Sequence, residues 1–113
     1  MTMPEIKEDP MNQLLREGPI EEFNRRRQAG EPCEAAGAYL RGADLRTLEA
    51  VGLDMRDCYL RQADLRGVDF SRTNLEGASI YCAKISGALF PPELTAEEIN
   101  LSLVHGTRMR YRR

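Results

Sequence analysis

From residue 33 onward the apolar positions recur every five residues, a period that fits neither an amphipathic helix nor a simple strand. The stretch ADLRG VDFSR TNLEG at 63–77 shows it most plainly, each block placing Asp or Asn second and a bulky apolar residue third. Stepping by five gives central residues Ala35, Leu40, Leu45, Ala50, Met55, Leu60, Leu65, Phe70, Leu75, Ile80, Ile85 and Phe90. Two positions earlier stand Cys33, Ala38, Ala43, Leu48, Leu53, Cys58, Ala63, Val68, Thr73, Ala78, Ala83 and Ala88, in which Thr73 is the only polar residue. Twelve blocks hold this register over 33–92 without insertion or deletion. Both columns are therefore expected to face a common core.

The remaining columns set the phase. Asp44, Glu49, Asp54, Asp64, Asp69 and Asn74 precede the centres, and Arg41, Arg46, Arg56, Arg61 and Arg66 follow them. Glycine closes the block at 37, 42, 52, 67, 77 and 87, where a corner needs a permissive backbone. Each block reads as a short extended piece followed by a corner. With its A43 D44 L45, A63 D64 L65, V68 D69 F70 and T73 N74 L75 blocks, the chain resembles the pentapeptide repeat family. The resemblance implies a β-solenoid, a right-handed quadrilateral β-helix in which four blocks make one coil, here about three coils.

A 20-residue coil would stack Leu40–Leu60–Ile80, Leu45–Leu65–Ile85, Ala50–Phe70–Phe90 and Ala35–Met55–Leu75. Ala50 under two phenylalanines is offset by the large Leu48 in the same block, as close packing requires. Such a stack needs its ends covered. Pro19 and IEEFNRRRQ, closed by Gly30, predict a helical cap within 19–32, with Ile20 and Phe23 on one face. After Pro91-Pro92, Thr95 and Glu98 form a capping-box pattern that opens a second helical cap within 93–106, ended by Gly106. Residues 1–18 are expected to form a mobile segment and 107–113 a basic tail.

Composition bounds the chemistry. The chain has 113 residues, 16 Lys and Arg against 18 Asp and Glu, and three cysteines, Cys33, Cys58 and Cys82. Between residues 38 and 90 seven acids meet seven bases, so the array carries no net charge. An odd cysteine count without C-x-x-C argues against a disulfide framework and a zinc site. No metal site and no cofactor are expected. His105, the only histidine, sits where a helix C-terminus favours a cation. No phosphate loop or nucleophile elbow is present, so the chain is not expected to be an enzyme. The start lacks a basic and an apolar region, which makes a cytoplasmic address the expectation, with no membrane partner.

The functional expectation is a non-catalytic scaffold that contacts another protein. Tyr39 and Tyr59, 20 residues apart, should stack on one outer face with Arg41 and Arg61 beside them. Arg108, Arg110 and Arg112 of the tail are further candidate contacts. Leu101 and Val104 are candidates for a homodimer surface on the C-terminal helix, an arrangement the family resemblance also implies. A different class, also implied by the resemblance, is a DNA-mimicking binder of DNA gyrase or topoisomerase. Short length and balanced charge disfavour it, and nucleic acid itself is not an expected partner.

Overall fold

A computed structural model describes residues 3–112. Its regular elements are three short helices, α1 (Pro10–Glu17), α2 (Ile20–Gln28) and α3 (Ala96–His105). The β-solenoid expected from the family resemblance is corrected here: among the described residues there is no β-strand, sheet or barrel. Residues 33–92 instead pass through repeated corners joined by isolated parallel bridges, such as Asp44 to Asp64, Tyr39 to Tyr59 and Asp69 to Leu89. The physical reason lies in the five-residue period. A corner intervenes after each bridging residue, so pairing never propagates into a ladder.

The 20-residue interval nevertheless organises the backbone. Leu45 donates to the Asp64 carbonyl (2.9 Å), Leu60 to Ser79 (2.8 Å), Leu65 to Lys84 (2.9 Å) and Phe70 to Leu89 (2.8 Å). In return Tyr59 donates to Ala38 and Asp64 to Ala43, each at 2.9 Å. We refer to 33–52, 53–72 and 73–92 as three tiers. Between them lie the two apolar columns: Leu40, Leu45, Leu60, Leu65, Phe70, Leu75 and Ile80 are all fully buried. Thr73 tolerates this interior because its hydroxyl donates to the Ala50 carbonyl at 2.6 Å. The Cys58 thiol likewise donates to the Ala35 carbonyl at 3.0 Å.

At corners without glycine the backbone still adopts positive φ at Asp57, Gln62 and Cys82. Gln62 and Cys82 stand 20 and 40 residues after Gly42, whose φ is +72°. The tier geometry is thus strong enough to hold side-chain-bearing residues in a left-handed conformation.

The first end is closed by helices. Asp9 caps α1 by accepting the Asn12 amide at 3.2 Å, and α1 buries Met11 and Leu15. Residues 10–17 are therefore a packed helix where the sequence suggests a mobile segment; Met1 and Thr2 of that segment lie outside the described residues. Glu5 adds to the first tier, donating to Gly37 (2.9 Å) and accepting from Tyr39 (2.8 Å). From α2, which buries Ile20 and Phe23, Asn24 donates to Thr47 and accepts from the Glu49 amide. Arg27 donates to the carbonyls of Glu49 and Val51.

The other end is closed differently. Thr95 caps α3 by accepting the Glu98 amide at 3.1 Å, and Gly106 ends it at φ +76°. The Glu98 carboxylate does not return to the Thr95 amide; it accepts from the Arg110 amide at 2.9 Å. That bond belongs to a docked segment where a basic tail is the sequence reading. Met109 is fully buried and exchanges hydrogen bonds with Gly77 (2.7 Å) and Ala78 (2.9 Å), and the Arg112 amide donates to Glu93. The Tyr111 hydroxyl accepts from the Leu75 amide at 2.9 Å. Arg113 lies outside the described residues.

Candidate interaction surfaces

Tyr39 and Tyr59 occupy equivalent positions in consecutive tiers, which a parallel bridge locks side by side. Their rings stack with centroids 5.1 Å apart and planes within 9°. The Arg61 guanidinium lies over Tyr59 at 5.1 Å and over Tyr81 at 5.2 Å, a cation between two aromatic faces. It also donates to the carbonyl of Gly106 (3.2 Å) and toward the Ser79 hydroxyl (3.3 Å), tying the tiers to the end of α3. A side chain at Gly106 would collide with it, since a Cβ there would stand 2.7 Å from the Arg61 terminal nitrogen. Tyr81 is absent from the sequence-based candidates. It falls in the column Arg41–Arg61–Tyr81, so the same 20-residue interval would have found it.

Beside these rings opens a cleft of about 530 Å³, lined by Tyr39, Tyr59, Arg61, Ser79, Gly106 and Arg108 among others. Arg108 crosses its edge, donating to the Gly77 carbonyl (3.0 Å) and lying 3.4 Å from Asp57. A second cleft of about 690 Å³ runs between α2 and the first two tiers, along Asn24, Arg27, Thr47 and Val51.

Three of the outward acids are ion-paired within their own blocks. Asp44, Asp54 and Asp64 each accept from the arginine two residues on, at 2.7–2.8 Å from its terminal nitrogen. Arg66 holds the Asp64 carboxyl down to about 2. Burial pushes the Cys58 thiol up to about 12, which makes it a core residue and not a nucleophile.

Residues 54–90 match the family model for pentapeptide repeats, in 8 copies. The chain carries pentapeptide repeats. Such repeats are generally protein-interaction scaffolds and generally non-catalytic. No curated protein and no solved structure compared with the chain gives a match. Among the described residues no group of three or more His, Cys, Asp or Glu could hold a metal, and no helix is long and apolar enough to cross a membrane.

The other sequence candidates scatter around the array. Arg41 is exposed and donates to the Gln62 side chain at 2.7 Å. Arg110 reaches Glu98, and Arg112 is exposed. Tyr39, Tyr59, Arg61 and Arg108 share the smaller cleft. On α3, Leu101 is half-buried and Val104 is 51% exposed.

Proposed function

We propose that the chain is a non-catalytic scaffold that binds another protein in the cytoplasm through the face carrying Tyr39 and Tyr59. The observation that carries this reading is the stacked tyrosine pair beside a cleft whose cations, Arg61 and Arg108, are already held by backbone carbonyls. Rigid aromatic rings bury large area at low entropic cost, which suits a recognition surface. The test is affinity capture with wild type and a Tyr39→Ser/Tyr59→Ser variant of verified fold. A partner retained by wild type and lost by the variant supports the face; equal capture by both removes it.

The exposed Val104 supports a second contact, the pairing of two copies through Leu101 and Val104. Leu101→Lys then converts a dimer to a monomer in light scattering, and a wild-type monomer removes the idea. DNA mimicry gains no support from the outer acids, because arginines neutralise Asp44, Asp54 and Asp64 within their own blocks. Absence of inhibition in a gyrase supercoiling assay is the expected outcome.

A further inference from the structure

The third tier is covered over only part of its outer edge. Met109 and the α3 residues Ser102 and Leu103 satisfy Gly77, Ala78, Ile80 and Cys82. Over 83–90 no described residue takes their place. Among the described residues the amides of Ile85, Gly87 and Phe90 and the carbonyls of Ala83 and Ala88 meet no hydrogen-bond partner. One tier below, the equivalent groups are all engaged. Leu65, Gly67 and Phe70 donate to Lys84, Ser86 and Leu89, while Ala63 and Val68 accept from Lys84 and Leu89. Side chains follow suit: Ala83, Ile85, Ala88 and Phe90 are partly exposed, and Leu89 is 56% exposed.

We propose that residues 83–90 form a docking edge for an extended segment of another polypeptide, laid parallel to the tier below and carrying a small–acidic–large apolar sequence. The backbone part of this specificity comes from the open amides and carbonyls, which repeat the spacing of the occupied set beneath them. The chain itself twice uses this mode with non-repeat segments, at Glu5 on Gly37 and Tyr39 and at Met109 on Gly77 and Ala78. Small and large apolar side chains two apart would continue the Ala83–Ile85 and Ala88–Phe90 columns. The acid follows from charge: the outward column runs Asp44, Asp64, Lys84, and exposed Lys84 has no ion pair among the described residues. An anion above it is the complementary neighbour.

A second copy stacked head-to-tail does not fit. Its first tier would have to present Glu49 to Ala88 and Phe90, yet Asn24 and Arg27 already hold the Glu49 amide and carbonyl. The inference rests on the scaffold reading but concerns a different surface from Tyr39 and Tyr59, so the two can fail separately.

The probe is a synthetic peptide with the sequence of residues 61–72, RQADLRGVDFSR, added to the 15N-labelled full chain. Expected are shifts of the Ile85, Gly87 and Phe90 amides on saturation, with exchange at these amides slowed about tenfold or more. The same peptide carrying Asp64→Lys should bind about fivefold more weakly, and Lys84→Glu in the protein should reverse that preference. No shift at about 1 mM peptide overturns the proposal. So does equal binding of the two peptides, or protection of these amides that rises with protein concentration alone, the mark of a second copy. Shifts confined to Tyr39 and Tyr59 overturn it as well, while leaving the scaffold reading in place.

Discussion

Residues 63–70 and 83–90 share one sequence pattern and meet different fates. Ala63, Leu65, Val68 and Phe70 are all at or below 2% exposure, whereas Ala83, Ile85, Ala88 and Phe90 remain partly open to solvent. The Phe70 and Phe90 rings stack with centroids 6.3 Å apart, yet only the lower one has chain on both sides. Burial in this architecture is conferred by the neighbouring tier and not by the block itself. The same contrast separates the two ends. Two helices close the first, while one helix and a docked segment leave half of the other open.

The sharpest way to break this comparison is a charge placed in both tiers. Leu65→Asp puts an unpaired carboxylate between two tiers and should cost about 4 kcal/mol or more, enough to unfold the chain. Ile85→Asp can turn its carboxylate toward water and should cost about 1–2 kcal/mol. Urea unfolding of the two variants measures the gap, and equal losses would mean that the open edge is as closed as the middle.

Next in size is the docked C-terminal segment. Met109→Ala should lose about 2–4 kcal/mol, since the side chain is fully buried against the third tier. Met3→Ala, at a site 79% exposed, should change stability by less than about 0.5 kcal/mol. A silent Met109→Ala would make the segment a true tail.

A smaller effect of opposite sign is expected at the corners. Cys82 holds φ at +59° in the column where the first tier has Gly42. Cys82→Gly should stabilise by about 0.5 kcal/mol, the relief of a left-handed side chain less the entropy of a freer unfolded chain. Gln62→Gly should gain less, because Gln62 also accepts from Arg41. Thermal melting distinguishes the two.

The smallest effect is electrostatic. Asp64, paired with Arg66 and near Arg46, has its folded pKa depressed to about 2. A depressed carboxylate contributes stability that is present above its unfolded pKa of about 3.9 and is lost as pH falls through the folded value. Asp64→Asn should therefore flatten the decline in melting temperature between about pH 4 and pH 2. Screening by solvent and salt keeps the effect slight at neutral pH. An unchanged acid slope would mean that the Asp64–Arg66 pair contributes nothing in solution.

Much of this was legible before any coordinates. The two apolar columns located the part of the core that runs from Ala35 to Ile80, though not its extensions at Met11, Leu15, Phe23 and Met109, and Thr95 and Gly106 marked the limits of α3. The stacked pair Tyr39 and Tyr59 followed from the 20-residue interval. Other features were not legible. Strands fail because every corner cuts pairing to one residue per face. The packing of α1 against α2 was not read from the sequence, although Met11, Leu14 and Leu15 have helical spacing, because the surrounding stretch is polar and carries Pro4 and Pro10. Arg61 and Arg108 read as free surface cations, but the carbonyls of Gly106 and Gly77 that hold them come from segments 45 and 31 residues away.

The sequence alone determined the five-residue register, the inward columns and the 20-residue interval, because those depend only on local spacing and side-chain size. Tertiary structure alone decided which copies of the repeat are buried, which cations are engaged and which edge stays open. Each of these depends on what another part of the chain brings alongside, and on the third tier no described residue brings a hydrogen-bond partner to the amides of Ile85, Gly87 and Phe90.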